Sequence, residues 1–181
     1  MRTYRDILLD VDGTLLDFGK KDLSPKTREA LLKLRANGIR ICIATGRSPL
    51  AVPMFEGVEF DAYLTYNGCY CYEGSRTIYS NPMPQADVQT IIRNAAAMER
   101  TLSVATKDRL ISNGTDPDLE EYYAFGNQKV TIPEEFDEVS RGEIYQLLMA
   151  CRKEEYAQVL QNTQEAKITS WWDRAVDIIP A

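Results

Sequence analysis

Two aspartates, Asp10 and Asp12, stand at the end of a short apolar run and are followed by Gly13. Side chains two residues apart on a strand point to the same side, so the two carboxylates begin as neighbours. Adjacent carboxylates repel each other unless a cation or a proton separates them. The pair therefore has the chemistry to bind a metal ion, and Gly13 lets the backbone turn sharply and approach a ligand.

Three interpretations of this stretch compete. The first is a plain turn, because Asp-Gly is a common turn signal. The second is a calcium-binding loop, which fails because Leu15 stands where that loop needs Gly and Lys21 where it needs Glu. The third is a magnesium-dependent phosphoryl-transfer site with Asp10 as the nucleophile. Taken alone, the stretch supports the turn and the phosphoryl-transfer site about equally.

The elements that position the aspartates follow a strand–helix–strand order. Three consecutive apolar residues, Ile7, Leu8 and Leu9, predict a strand buried on both faces. A helix is predicted to begin at Ser24 and Pro25, a favoured N-cap and a favoured first residue. A second apolar strand at 39–44 completes a right-handed β-α-β unit and a parallel sheet. Ligands of such sheets bind beyond the carboxyl ends of the strands, where Asp10 is expected.

The second predicted strand runs into Thr45, Gly46 and Arg47, at the same end of the sheet as the aspartates. A hydroxyl, turn amides and a guanidinium are groups that bind phosphate oxygens. The alternative is a helix N-cap followed by a surface arginine, and the motif by itself favours neither. A third strand, predicted at 62–65, leads to Asn67, whose Asn-Gly dipeptide is by itself a hairpin-turn signal.

Three motifs, in this order, resemble one family. Residues 7–15 resemble motif one of the haloacid dehalogenase-like hydrolases, an apolar pair followed by Asp-x-Asp-Gly-Thr-Leu. Residues 41–47 resemble the second motif of the Cof-type branch of sugar-phosphate phosphatases. Residues 66–68 resemble the Asn-Gly turn after the third strand of that branch. The ordered set is a much stronger signal than any one motif.

The resemblance implies a magnesium-dependent phosphatase that acts on a small phosphorylated metabolite similar to a sugar phosphate. Asp10 is expected to attack phosphorus and form an aspartyl-phosphate. Asp12 is expected to protonate the leaving oxygen and then to deprotonate the attacking water. Mg²⁺ is expected to be held by a carboxylate oxygen of Asp10 and the main-chain carbonyl of Asp12.

The resemblance also implies how the phosphate is bound. Thr45, Gly46 and the Gly13 amide are expected to hold phosphate oxygens, whereas Arg47 and Asn67 are expected to orient the phosphate or the substrate. Two alternatives remain open: a non-catalytic protein that keeps the fold for binding or assembly, and a phosphomutase. Release of inorganic phosphate favours hydrolysis, and an isomerised sugar phosphate favours the mutase.

The expected fold is α/β, with an incomplete parallel Rossmann-like core and an inserted α+β cap domain. A proline-rich stretch predicts a boundary, with the core at 1–81 and the cap at 82–181. The second region follows the order α-β-β-α-β-α-β-β, which resembles the large cap of the Cof-type branch. Within the core, a short helix is predicted at 49–55. Within the cap, Trp171 and Trp172 are predicted on one strand with side chains on opposite faces.

The family pattern continues beyond the motifs that this chain contains. It has a lysine-bearing third motif and a Gly-Asp-x-x-x-Asp fourth motif with further metal ligands, and neither is expected within these 181 residues. In the family fold, the strands of that part cover the first strand. Residues 7–11 are therefore expected to form an uncovered apolar sheet edge, which predicts self-association or cover by another chain. Residues 1–181 alone are expected to be weakly active.

The composition excludes several classes of function. The net charge is −6 and there is no basic run, so neither nucleic acid nor an anionic membrane is expected as a partner. The absence of histidine excludes Ser-His-Asp and Cys-His catalysis. Four cysteines without a Cys-x-x-Cys pair indicate a reducing cytoplasm. Neither a signal-peptide segment at the N-terminus nor an apolar run of membrane-spanning length is expected.

Overall fold

The computed structural model describes residues 5–17, 19–126 and 128–181. Two compact units are present, Met1–Ser80 and Asn81–Ala181. Within the described ranges, no helix is both long and apolar enough to cross a bilayer. The prediction about the N-terminal segment falls partly on residues 1–4, which lie outside these ranges.

The first unit is built on a five-stranded sheet. Its strands are β1 Asp6–Leu9, β2 Arg40–Ala44, β3 Ala62–Thr65, β4 Tyr70–Glu73 and β5 Arg76–Ser80. They lie side by side in chain order. The first three strands run parallel, whereas β4 and β5 pair antiparallel. The parallel part is the core that the strand–helix–strand pattern predicts.

Helix α1, Pro25–Ala36, connects β1 to β2. It begins as predicted, because the Ser24 hydroxyl accepts a hydrogen bond from the Thr27 amide at 3.0 Å. On its inner face, Leu31 is buried in one apolar cluster with Ile41 of β2. Helix α1 thus packs on the parallel part of the sheet, whose strands carry the predicted site residues at their carboxyl ends.

Strand β1 lies at an edge of the sheet. Among the strands that the structure describes, only β2 pairs with it, and Leu8 is 55% exposed. The prediction of a strand buried on both faces is therefore wrong. Ile7 and Leu9, on one face of the strand, are half-buried, whereas Leu8 on the other face is open to solvent.

The helix predicted at 49–55 is also wrong in extent. It is reduced to a 3₁₀ turn at Pro49–Ala51, and Val52 is extended with φ −69° and ψ 124°. Pro53 explains the early end, because the ring of a proline disfavours helical backbone at the preceding residue.

The second unit is an α+β structure with an antiparallel sheet. Its strands are β6 Leu102–Ala105, β7 Leu110–Ser112, β8 Gln146–Ala150, β9 Ala166–Thr169 and β10 Ala175–Pro180. They are ordered β7-β6-β8-β10-β9. The helices are α2 Gln85–Ala97, α3 Pro117–Phe125, α4 Phe136–Val139 and α5 Tyr156–Val159. Of these elements, only the four-residue helix α4 has no counterpart in the predicted order.

The core of the second unit lies between the sheet and two of its helices. Val88 and Ile91 of α2 and Val159 of α5 are fully buried in one cluster with Leu147 of β8 and Ile178 of β10. These residues recur at helical spacing in α2 and alternate along the strands, which is why the sequence pattern located the elements.

The prediction for Trp171 and Trp172 is wrong. Strand β9 ends at Thr169, so neither tryptophan is part of it. Both rings stack on Tyr122 of α3, with ring centroids 5.3 Å and 6.0 Å away. Contact with a helix some fifty residues away, rather than strand alternation, therefore sets their orientation.

Candidate functional site

The loop after β1 is folded into a tight turn. The Gly13 amide donates to the Leu16 carbonyl at 2.8 Å, and the Leu16 amide donates to the Val11 carbonyl at 2.8 Å. Gly13 has φ +78°, a left-handed conformation that glycine adopts without steric cost. Val11 is fully buried, and the flanking Asp10 and Asp12 are exposed. The turn therefore presents both carboxylates to solvent from one fixed backbone.

Asp10 lies against a cavity of about 300 Å³ at the carboxyl end of the parallel strands. Its carboxylate makes no hydrogen bond or ion pair with any residue in the described part of the chain. A carboxylate in this condition is free to bind a cation or to act as a nucleophile.

Asp12 is ion-paired with Arg47. The guanidinium Nε and Nη2 atoms donate to the two Asp12 carboxylate oxygens at 2.9 Å and 2.6 Å. The third nitrogen, Nη1, donates to the Ala51 carbonyl at 3.0 Å. Paired hydrogen bonds of this kind fix the orientation of both groups. Arg47 was predicted to orient a phosphate, but in this structure it orients Asp12.

The loop after β2 is shaped by contacts with the turn after β3. The Thr45 hydroxyl accepts from the Arg47 amide at 3.1 Å, and the Thr45 carbonyl accepts from the Asn67 amide at 3.1 Å. The Asn67 carboxamide lies directly against Gly46, where an added Cβ would be 3.1 Å from its Oδ1 atom. Glycine at position 46 leaves room for this side chain.

Four of the predicted site residues line the cavity: Asp10, Thr45, Gly46 and Asn67. The other three, Asp12, Gly13 and Arg47, are not part of that lining. The roles assigned to all of them stay predictions. Further lining residues are Ala44, Leu64 and Gly68. Sequence reasoning missed these three, although each lies next to or within a motif at the end of a predicted strand.

The oxygen atoms at the site are suited in kind to Mg²⁺. Mg²⁺ prefers hard oxygen ligands, keeps several water molecules, and is commonly held by one or two carboxylates together with substrate phosphate oxygens. The unpartnered Asp10 carboxylate is such a ligand. In the described residues, no group of three or more acidic, cysteine or histidine side chains could hold a metal ion. The donors therefore fit a magnesium ion that shares its shell with water and substrate.

Comparison with known proteins gives consistent findings. A family model described as haloacid dehalogenase-like hydrolase matches residues 7–181. The Bacillus subtilis (strain 168) protein named "Putative phosphatase YkrA" is 29% identical over 177 residues, which is 96% of this chain and 67% of that protein. The Escherichia coli (strain K12) protein named "Pyridoxal phosphate phosphatase YbhA" is 38% identical over 86 residues, which is 45% of this chain and 31% of that protein.

A solved structure supports the same assignment. The structure described as the HAD subclass IIB sugar phosphatase BT4131 has a TM-score of 0.82 and 26% sequence identity. The match covers 97% of this chain and 70% of that chain. The predicted resemblance, the predicted α/β core and the prediction of a hydrolase-family enzyme are confirmed.

Proposed function

Because the chain belongs to the haloacid dehalogenase-like hydrolase family, we propose that it acts as a magnesium-dependent phosphatase with Asp10 as the nucleophile. The observation that carries the proposal is the Asp10 carboxylate, which lines the cavity and has no partner among the described residues. Two relatives are named as phosphatases, which supports the same reaction class.

In the first step, a carboxylate oxygen of Asp10 attacks the phosphorus atom of a phosphate monoester. The bond from phosphorus to the leaving oxygen breaks, and Asp12 donates a proton to that oxygen. The products are an alcohol and an aspartyl-phosphate on Asp10.

In the second step, a water molecule attacks the aspartyl-phosphate at phosphorus. The Asp12 carboxylate takes the proton of the water, the bond between phosphorus and the Asp10 oxygen breaks, and inorganic phosphate leaves. Asp10 returns as a carboxylate and Asp12 as an acid, so the cycle is closed.

The ion pair of Asp12 with Arg47 sets a condition on this mechanism. A protonated Asp12 cannot keep both charge-assisted hydrogen bonds, which measure 2.6 Å and 2.9 Å. Arg47 therefore leaves Asp12 when the substrate binds, and its guanidinium turns to the phosphate oxygens. The Thr45 hydroxyl and the Asn67 carboxamide hold the same group from the cavity wall.

Mg²⁺ would be held by the Asp10 carboxylate and the Asp12 main-chain carbonyl. When bound, it supplies positive charge that offsets the repulsion between the Asp10 carboxylate and the phosphate. With Asp12 protonated, the charges of Asp10 and Arg47 cancel, so the named side chains leave the charge of an anionic substrate for such a cation to offset.

The size of the cavity and the names of the relatives support one class of substrate. A cavity of about 300 Å³ suits a phosphate group with a small organic residue. One relative is named for pyridoxal phosphate, and one solved structure is described as a sugar phosphatase. Both kinds of compound are small phosphate monoesters, and the proposed substrate is a small phosphorylated metabolite of this class.

The experiment compares the same aspartate-to-asparagine substitution at two nearby positions, Asp10 and Asp6. The purified protein is assayed for phosphate release from a chromogenic phosphate monoester with Mg²⁺ and with EDTA. Asp10→Asn is expected to lower the rate by more than about a thousandfold, and EDTA is expected to abolish it reversibly. Asp6→Asn, a control at the start of the strand that Asp10 follows, where the ion pair with Arg40 measures 3.6 Å, is expected to keep the activity. Normal turnover by Asp10→Asn would refute the proposal.

A further inference from the structure

The turn between β3 and β4 has an unusual backbone. Tyr66, Asn67 and Gly68 have φ values of +50°, +56° and +92°. Residues other than glycine rarely adopt positive φ, and a bulky aromatic residue there is a clear outlier. Two successive non-glycine residues in this conformation persist only when the surrounding structure holds them.

The other positive φ values of non-glycine residues in the described chain have a simple explanation. Glu99 and Asn162 have φ values of +54° and +63°. Each lies just beyond the end of a helix, α2 or α5, where helices commonly end in a left-handed residue. The turn at Tyr66 does not follow an α-helix, because β3 ends at Thr65.

Hydrogen bonds hold the turn against the loop after β2. The Tyr66 amide donates to the Arg47 carbonyl at 3.0 Å, and the Asn67 amide donates to the Thr45 carbonyl at 3.1 Å. In return, the Thr45 amide donates to the Leu64 carbonyl at 2.9 Å. The predicted phosphate-binding loop is thus tied by backbone bonds both to the turn and to the strand that precedes it.

The far side of the turn is held by Thr65. Its hydroxyl donates to the Tyr70 carbonyl at 2.8 Å, across the turn from the end of β3 to the start of β4. The Cys69 amide donates to the Tyr66 carbonyl at 3.1 Å. Thr65 and Tyr66 are 0% and 1% exposed, so no water replaces these contacts. Neither side chain lines the cavity.

We propose that Thr65 and Tyr66 are positioning residues for the phosphate-binding loop. Together they hold the left-handed turn that sets the Asn67 carboxamide against Gly46 and fixes the carbonyls of Thr45 and Arg47. They act through other residues and do not touch the phosphate. The inference rests on the proposed function, because it takes the cavity as the phosphate site.

The test uses matched threonine-to-valine substitutions. Thr65→Val removes a hydroxyl that donates to a backbone carbonyl at 2.8 Å. Thr163→Val removes the same kind of bond, from Thr163 to the Leu160 carbonyl, also at 2.8 Å, in the second unit. The affinity for inorganic phosphate in the presence of Mg²⁺ is measured by calorimetry, together with Tm.

Thr65→Val is expected to weaken phosphate binding about tenfold, because a turn that is no longer held must be ordered when phosphate binds. Thr163→Val is expected to lower Tm by a similar amount and to leave phosphate binding unchanged. Thr65→Ser, which keeps the hydroxyl, is expected to restore the affinity. Equal phosphate affinity in the unaltered protein and in Thr65→Val would overturn this inference alone. No phosphate binding by the unaltered protein would instead refute the proposed function.

A measurement on the unaltered protein decides the matter if Thr65→Val does not fold. The Tyr66 and Asn67 amide protons are expected to exchange with solvent as slowly as those of β3, since both are bonded to the loop after β2. Exchange at the rate of an unprotected loop would overturn the positioning role, because the hydrogen bonds from the Tyr66 and Asn67 amides would then not hold the turn.

Discussion

Asp177 offers the most quantitative prediction. It lies on β10 with its side chain 6% exposed and accepts a hydrogen bond from the Tyr122 hydroxyl at 2.8 Å. Burial raises the pKa of Asp177 from 3.8 to about 7, and hydrogen bonds from Tyr122 and Gln146 offset this only in part. Burial and the nearby carboxylate also raise the pKa of Tyr122, so its hydroxyl stays a donor.

The sign of the effect on stability follows from proton binding. The unfolded chain releases the Asp177 proton near its ordinary pKa of 3.8, whereas the folded chain keeps it until about pH 7. Between these values the folded state binds one more proton, so stability falls as pH rises. Since each pKa unit corresponds to about 1.4 kcal/mol, the total loss is about 4 kcal/mol.

Asp177→Asn removes this titration and keeps an oxygen that accepts from Tyr122. The free energy of unfolding of the variant, relative to the unaltered protein, is expected to rise by about 3 kcal/mol from pH 5 to pH 8. Using the difference between the two proteins cancels any pH dependence that they share, such as that of Asp118, whose pKa is lowered by the neighbouring Arg152.

The assay is urea denaturation followed by tryptophan fluorescence. The chain has two tryptophans, Trp171 and Trp172, and both lie in the same unit as Asp177. Asp173→Asn, at an exposed position between β9 and β10, is the matched control and is expected to show no such trend. Parallel pH profiles for Asp177→Asn and the unaltered protein would show that the buried carboxyl does not hold its proton.

Two other predictions concern the first unit. Gly46→Ala is expected to destabilise the protein by about 1 kcal/mol, because the alanine Cβ would be 3.1 Å from Asn67 Oδ1. In an Asn67→Gly background this cost should largely vanish. Additive losses of the two substitutions in urea unfolding would contradict the contact. Leu8→Lys, at an edge-strand residue that is 55% exposed, is expected to reduce self-association in sedimentation velocity. An unaltered protein that sediments as a monomer at high concentration would contradict the second prediction.

Local sequence signals located most elements of the fold. Ser24 before Pro25 predicted the start of α1. In the structure Asp116 caps α3 in the same way, with its carboxylate accepting from the Leu119 amide at 2.9 Å. Such caps act within one helical turn, so they can be identified without knowledge of the tertiary structure. The apolar runs that form β2 and β3 are also local signals, so the sequence alone was enough to predict these strands.

Other features depended on contacts between distant residues and could not be predicted. The ion pair of Asp12 and Arg47 joins residues 35 positions apart. The orientation of Trp171 depends on its indole, which donates to the Tyr122 hydroxyl at 3.0 Å. The left-handed backbone of Tyr66 depends on carbonyls of another loop, and only the Asn-Gly dipeptide that follows hinted at an unusual turn.

Several residues predicted for the site lie together because they occur at strand ends. Asp10, Thr45 and Asn67 follow three neighbouring parallel strands, whose carboxyl ends meet at one end of the sheet. The sequence could not show which side chains already have partners. In the structure the Asp10 carboxylate has no partner among the described residues, whereas the side chains of Asp12 and Arg47 bind each other.

The central claim, covalent catalysis by Asp10, is tested most directly by trapping the phosphorylated protein. The purified protein is mixed with Mg²⁺ and a phosphate monoester, quenched in acid within the first turnover, and mapped by peptide mass spectrometry. We expect one phosphoryl group on Asp10 that is lost on treatment with hydroxylamine. It should be present in Asp6→Asn and absent from Asp10→Asn. A phosphoryl group on another residue, or one that persists in Asp10→Asn, would contradict the mechanism.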